Sequence, residues 1–449
     1  MTAPLSTIAC AGCGSVPATS DPFPFRCRNA GHDDVDHVLV RTLDFRIARF
    51  PDPTGAQDNP FLRYRGLLNS YHRATAAGVP DEGFCALVRA LDTRVAEVDG
   101  HGFSRRPFHR DELLSARLGF TEPGGVWVKD ETGNVAGSHK ARHLMGILLH
   151  LIVAERIGLA DPARRRDLAI ASCGNAALAA AVLASAGDWP LQVFVPVEAE
   201  GGIVTRLEQL GARVVTCPRL SEQPGDPTYH RLLREVAGGA LPFTCQGNLN
   251  GMAIEGGQTL GYEMAADLAG SGLQLDHVVV QVGGGALATA CIRAFEEAVA
   301  LGVASAGPRV HTVQTQGAHP LERAYHLVQA GLPARPAPAE LQAAMSAAAR
   351  HRSAYMWPWE TEPKSLATGI LDDETYDWRA VVEGMLRSGG EPVVVSEDQI
   401  ATAHALGTEA GYNVDPTGTA GLAGLIELRS RGLARPGERV AVLFTGVQR

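Results

Sequence analysis

From about residue 100 onward, short apolar runs alternate with longer Ala- and Leu-rich stretches of helical spacing. Nine runs are short, β-rich and apolar: 126–129, 168–171, 191–196, 213–217, 242–245, 277–282, 309–315, 392–396 and 440–444. Between most of them lie stretches with the helical period, such as 144–154, 176–186, 203–210, 286–301 and 399–410. Unbroken apolar strands alternating with helices predict parallel sheets covered on both faces. Nine strands are many for one sheet, so the pattern predicts an α/β protein of two doubly wound α/β domains. The first sixty residues break the pattern. They are rich in Pro, Asp and Arg and carry Cys10, Cys13 and Cys27. Residues 331–338, with Pro333, Pro336 and Pro338, read as a loop.

Composition changes this picture little. The 449 residues are enough for two or three domains, and 45% hydrophobic with 20% charged residues is ordinary for a globular chain. A net charge of −9 argues against nucleic acid or an anionic membrane as the main partner. No apolar stretch reaches the roughly twenty residues of a membrane span. The start lacks a basic region followed by an apolar run, so a cytoplasmic location is expected. Nothing after the last strand predicts a regulatory domain. Eight cysteines spread over this length do not form a disulfide-scaffold pattern.

Four motifs carry chemistry. The run 126–129 ends in a polar Gly/Asn loop that delivers Lys140 to the start of a helix. A lysine so placed suits imine chemistry, because partial burial favours the neutral, nucleophilic amine. The second motif is Ser172-Cys173-Gly174-Asn175-Ala176, after a strand and before an Ala-rich helix. The free N–H groups of that helix start can hold a carboxylate, or Ser172 or Asn175 can simply cap it. The third is Gly283-Gly284-Gly285-Ala286, again between strand and helix. Three glycines there form a nest of backbone N–H groups suited to phosphate. The spacing is neither a dinucleotide fingerprint nor a P-loop. The fourth is Thr445-Gly446 after the last strand, a hydroxyl able to meet a ring nitrogen lying over the sheet.

The four motifs, in this order, resemble the tryptophan-synthase-β-like (fold type II) enzymes that use pyridoxal phosphate (PLP). The resemblance covers roughly residues 100–449. It extends to Glu255-Gly256-Gly257-Gln258-Thr259 and to Asp415-Pro416-Thr417-Gly418-Thr419-Ala420-Gly421. Lys129-Asp130-Glu131 and Gly137-Ser138-His139-Lys140-Ala141-Arg142 resemble the threonine-synthase version of the lysine motif, with serine/threonine ammonia-lyases equally near. The resemblance implies two α/β domains with the cofactor between them: a large one of residues 61–142 and 236–449, and a small one of 143–235 carrying the Asn175 loop. It implies that Lys140 binds PLP covalently through its ε-amine. Asn175 would hydrogen-bond the phenolic oxygen, Gly283, Gly284, Gly285 and Ala286 would cradle the phosphate, and Thr445 would meet the pyridine nitrogen. Ser138, His139, Ser172, Cys173 and Ala176 would line the substrate. A homodimer is expected from the same resemblance.

The sequence departs from the family at His139, where phenylalanine is common, and at Val135-Ala136, where Pro-Thr is common. Cys173 stands where serine is frequent, and Ala286 where the loop often has a fourth glycine. These departures bear on the substrate more than on the cofactor.

The leading expectation is a lyase that eliminates the β-substituent of a β-hydroxy or β-activated amino acid, releasing ammonia and a 2-oxo acid. Its rivals are a threonine synthase or β-replacement synthase, and a non-catalytic ligand-binding homologue. A phosphorylated substrate needs extra cations, for which Arg142, His139 and His109 are the candidates. Arg142 lies two residues from Lys140 and so points elsewhere on a regular helix. Within the extension at residues 1–60, Cys10, Cys13, Cys27 and His32 have spacing compatible with a structural zinc ribbon, with a metal-free knuckle as the alternative.

Overall fold

The computed structural model describes residues 5–219, 225–333 and 336–449. Its strands are β1 (Ser6–Cys10), β2 (Leu39–Leu43), β3 (Phe108–Asp111), β4 (Gly125–Asp130), β5 (Leu168–Ala171), β6 (Leu191–Pro196), β7 (Arg213–Cys217), β8 (Leu241–Pro242), β9 (His277–Gln281), β10 (Arg309–Thr315), β11 (Pro392–Val395) and β12 (Arg439–Phe444). They form three sheets. A six-stranded sheet runs β11-β10-β9-β12-β4-β3, a four-stranded sheet runs β7-β6-β5-β8, and β1 pairs with β2. The four-stranded sheet is all parallel, and the larger one is parallel except for β3, which runs antiparallel at its edge. The two parallel α/β layers predicted by the hydrophobic pattern are therefore present.

The two parallel sheets are buried at their central strands, which are largely apolar on both faces. β9, His277-Val278-Val279-Val280-Gln281, is buried at every position. One face of the larger sheet packs Val278, Val280, Ala441 and Leu443 against helices Ala286–Ala300 and Trp378–Ser388. The other packs Val126, Val279, Val440 and Val442 against helix Pro416–Ser430. The smaller sheet shares its core with helices Lys140–Arg156 and Asn175–Ala186.

Three details differ from the sequence expectations. Phe61, Phe84, Val88, Leu91 and Val95 join the smaller sheet's core, although residues 61–142 read as part of the larger domain. Apolar spacing identifies a buried helix face but not the sheet it covers. β8 pairs with β5, so the smaller sheet runs past residue 235. The strand is Leu241–Pro242, so of the expected run at 242–245 only Pro242 lies in it, and the Asn250 side-chain amide donates to the Pro242 carbonyl at 2.7 Å. No described helix is long and apolar enough to cross a membrane.

Candidate active site

The lysine motif, the glycine turn and Thr445-Gly446 all leave the same end of the larger sheet. β4 and β12 are neighbours, and β12 also pairs with β9. Parallel pairing therefore brings the loops after β4, β9 and β12 together, where ligands of open α/β sheets sit. Lys140 opens the helix Lys140–Arg156 after the β4 loop. The C-terminal strand clamps that loop: His139 N–H donates to the Thr445 carbonyl at 3.2 Å, Val447 N–H to the Gly137 carbonyl at 2.9 Å, and Ser138 bridges Gly446.

Lysine chemistry narrows the choice. The chain has three lysines, Lys129, Lys140 and Lys364. Lys129 is fully buried, donating to Glu263 and to the Arg106 carbonyl. Lys364 is exposed and paired with Glu362. Lys140 is half-buried and makes no ion pair among the described residues. It is the lysine at the cleft with its amine unspent.

Arg142 does not face the cleft. Its guanidinium binds Glu131 at 2.7 and 2.9 Å and Glu263 at 2.8 and 3.0 Å, all buried. Burial works to raise the Glu263 carboxyl, but Arg142 and Lys129 overcome it and hold it below its ordinary value. Glu131 also accepts from the Asn134 side chain at 2.7 Å. The Lys129, Glu131, Arg142 and Glu263 cluster balances two charges of each sign and ties both ends of the lysine loop together. His139 is buried too, with Nδ1 3.2 Å from the Thr445 carbonyl and its ring edge-on to His143. Burial, with Lys140 and His143 close by, holds it well below its usual value, so it is neutral. His109 lies outside, 3.3 Å from the Tyr412 hydroxyl.

The glycine turn is a cradle with walls. Gly285 has φ +98°, open to glycine at little cost. A Cβ on Gly283 would run into the Asp372 carboxylate, and one on Gly284 would lie 2.9 Å from the Tyr376 ring. Thr375 Oγ1 donates to the Gly283 carbonyl at 3.0 Å and Asp377 N–H to the Gly284 carbonyl at 2.9 Å, which fixes the backbone of the turn. The Asp372 carboxylate accepts from Gly284 N–H and lies in the electrostatic reach of Lys140; burial pushes its carboxyl up to about 6.

Asn175 opens helix Asn175–Ala186 with its side-chain amide over Gly446, hydrogen-bonded to Asp415 and to Arg449. Arg449 also donates to the Ala136 carbonyl at 2.7 Å. Thr445 is buried and its Oγ1 accepts from the Gln281 side-chain amide at 2.8 Å. Ser172 Oγ accepts from Gly174 N–H at 3.4 Å, an internal turn contact. Ala176 is half-buried in the first turn of the same helix. Cys173 is exposed on that turn, yet surrounding protein raises its thiol, which keeps it from acting as a ready thiolate. The structure thus brings Lys140, Asn175, Gly283–Ala286 and Thr445 to one cleft, while Arg142 is held by Glu131 and Glu263, His109 lies outside, and His139 is buried against Thr445 with its Nε2 unpartnered. Gln281, Asp372 and Arg449 were not singled out by the sequence. Gln281 had a signal, a polar residue closing an apolar run just before the glycines; the other two had none.

The residues fit a phosphorylated pyridine. The cradle supplies N–H donors, Ser138 Oγ is buried without a hydrogen-bond partner beside the lysine, and the Thr445 hydroxyl accepts from Gln281 and so keeps its own proton to give.

Comparison with known proteins agrees. The family model described as pyridoxal-phosphate dependent enzyme matches residues 102–446. The threonine synthase of Methanosarcina acetivorans is 25% identical over 342 residues, covering 76% of this chain and 73% of that protein. The L-threonine ammonia-lyase of Thermotoga maritima is 29% identical over 213 residues, covering 46% of each. Among solved structures, processed threonine deaminase isoform 2 from Solanum lycopersicum superposes with a TM-score of 0.58 at 16% identity, covering 83% of this chain and 92% of that one. Maize serine racemase gives 0.56 at 18%, covering 81% and 93%. At such identity the structural likenesses speak for the fold alone. The family match spans most of the chain, and with the cleft described above it leads to one conclusion: the chain belongs to the pyridoxal-phosphate dependent enzyme family.

Proposed function

We propose that the chain eliminates the β-hydroxyl of a small hydroxy amino acid, releasing ammonia and a 2-oxo acid. In this reading Lys140 would hold PLP, and its amine would take the Cα proton of the substrate. Gly283–Ala286 would hold the phosphate, Thr445 would donate a hydrogen bond to the pyridine nitrogen, and Asn175 would meet the phenolic oxygen. Bound PLP supplies the electron sink for Cα carbanion chemistry. A neutral hydroxyl at the ring nitrogen does not enforce a charged pyridinium, which suits eliminations in which the leaving group departs soon after the proton. Ser138, with its unpartnered hydroxyl, and the Ser172–Ala176 turn receive the substrate.

The observation that carries the substrate choice is the disposition of cations. A phosphorylated substrate brings a dianion beyond the cofactor's own phosphate. Arg142 is held by Glu131 and Glu263, His139 is neutral, and His109 is outside. The groups that feel Lys140 across the cleft include the carboxyls of Asp372 and Asp377. Among the described residues Arg449 lies beside Asn175, placed to take one α-carboxylate. The competing reading, a threonine-synthase-like replacement on a phosphorylated homoserine, is favoured by the names of relatives such as that of M. acetivorans.

The test is to incubate purified holo-protein with L-serine, L-threonine, O-acetyl-L-serine and O-phospho-L-homoserine, measuring 2-oxo acid, threonine and phosphate. The proposal expects pyruvate or 2-oxobutyrate from a hydroxy amino acid. Threonine and phosphate from O-phospho-L-homoserine, with no 2-oxo acid from serine or threonine, would overturn it.

A further inference from the structure

We infer that the N-terminal extension holds a closed, structural zinc-type centre ligated by Cys10, Cys13, Cys27 and His37. The four ligand atoms lie within 4.8 Å of one another. Cys10 Sγ is 3.4 Å from His37 Nδ1, and Cys13 Sγ is 3.7 Å from Cys27 Sγ. A tetrahedral zinc at about 2.3 Å from sulfur and about 2.0–2.1 Å from nitrogen has edges of about 3.6 Å (S–N) and about 3.8 Å (S–S). These two edges match that polyhedron, and the other four lie within 4.8 Å. A disulfide between Cys13 and Cys27 would need sulfurs about 2.05 Å apart.

The fourth ligand is not the one the spacing suggested. His32 is exposed on the loop, whereas His37 is buried with its Nδ1 on the thiols. The Asp33 carboxylate, one helical turn's spacing away, sits 2.8 Å from His37 Nε2. A carboxylate on the far nitrogen fixes the tautomer and makes the near nitrogen the better ligand. The sulfurs are also prepared. Cys10 Sγ accepts backbone N–H groups of Gly12 and Cys13, and Cys13 Sγ accepts from Ser15 N–H and from the Asn29 side chain at 3.5 Å. Three sulfurs and one imidazole nitrogen are a donor set that zinc takes and that calcium or magnesium would not select. A Cβ on Gly12 would strike the Asp36 carbonyl, so the Cys10–Cys13 turn has the close fit of a built knuckle.

The centre's place in the fold explains its use. Cys10 and Leu39 are paired at the end of the β1–β2 ribbon, and residues 11–38 form the loop between them. That loop reaches both halves of the molecule. The Pro22 carbonyl contacts His150 Nε2 at 2.9 Å, on the helix that Lys140 opens. Asp36 N–H donates to the Ala349 carbonyl at 2.7 Å, and Arg352 joins Asp36 to Glu374, next to Thr375 and Asp377, which grip the glycine turn. With four protein ligands and no open position, the centre staples this loop and takes no part in catalysis.

The test is elemental analysis of full-length protein purified without chelator, with PLP absorbance read on the same samples. About one zinc per chain is expected, retained in His32→Ala and lost in His37→Ala and Cys13→Ser. Because those variants can misfold, the wild type is also treated with an organomercurial, releasing the metal to a chromophoric chelator, and metal-depleted protein is refilled with Co(II). The Co(II) protein should show thiolate charge-transfer and intense tetrahedral d–d bands. Metal-free wild type carrying a Cys13–Cys27 disulfide would overturn the inference. So would metal that thiol modification does not release, or loss of metal from His32→Ala but not His37→Ala. Full PLP absorbance in a metal-free wild type would sink this inference and leave the cofactor reading intact.

Discussion

Gln281 donates its side-chain amide to the Thr445 hydroxyl oxygen at 2.8 Å, and the same amide nitrogen lies within 3.0 Å of the Leu443 and Gly418 carbonyls. One buried amide therefore joins the end of β9, the end of β12 and the start of helix Pro416–Ser430 under the cleft. It also sets the hydroxyl's direction, because an oxygen that accepts from Gln281 has its proton free for another partner. Gln281→Leu removes a hydrogen bond worth about 1 kcal/mol in an enclosed site, so kcat/KM for the productive amino acid falls roughly fivefold. Thr445→Val falls at least as far. Steady-state kinetics check both, and unchanged kinetics in both variants would remove Thr445 from the site.

Arg142 is expected to matter for stability before it matters for chemistry. Arg142→Met leaves Glu131 and Glu263 buried with only Lys129 to balance them. Breaking such a buried pair costs about 3–5 kcal/mol. Urea denaturation should show a loss of that order, and a loss under 1 kcal/mol would contradict the buried-charge account.

The crossing of helices Lys140–Arg156 and Ala253–Gly270 depends on glycine. A Cβ on Gly256 would collide with the Arg142 carbonyl, and one on Gly257 with the His143 ring. Gly256→Ala pushes apart the helix that begins at Lys140, at a cost of about 1–3 kcal/mol. PLP affinity, measured by fluorescence titration of the apo-protein, should weaken together with stability. Wild-type affinity in this variant would mean that the crossing does not position Lys140.

Asp372 makes a pH-dependent prediction. Burial raises its carboxyl from 3.8 to about 6 in the folded chain. Its contribution to stability is then full below the unfolded value and is lost as pH rises through about 6. Asp372→Asn removes that loss. The apo variant should match wild type near pH 4 and exceed it above pH 7, by about 1–2 kcal/mol after allowing for a partly exposed residue. The substitution also takes a negative charge off the Gly284 N–H, so PLP should bind more tightly at pH 8. Urea midpoints across pH check the first statement, and a gap that does not vary with pH would contradict it.

Strong local patterns made much of this fold legible. The runs at 168–171, 191–196 and 309–315 are strands with the expected bounds because each is a short β-rich run buried along most of its length, and 213–217 is one as the more exposed edge strand of its sheet. β1, β2 and β3 were not read from the sequence. Segments such as Phe108-His109-Arg110-Asp111 look polar, and they are strands only because a neighbour pairs with them. The site followed the same division. Lys140, Asn175, the glycine turn and Thr445 stand at strand-to-loop junctions, where sequence order dictates placement. His37 in place of His32, and the turning-in of His139, depend on how irregular loops fold back, for which local spacing gives no rule.

The central claim is that Lys140 is the lysine that holds PLP. Borohydride reduction of holo-protein followed by digestion and mass spectrometry tests it directly. The account predicts a pyridoxyl-phosphate adduct on the peptide containing Lys140, with Lys129 and Lys364 unmodified, and loss of the visible absorbance in Lys140→Ala. An adduct on Lys129 or Lys364, or visible absorbance unchanged in Lys140→Ala, would contradict it.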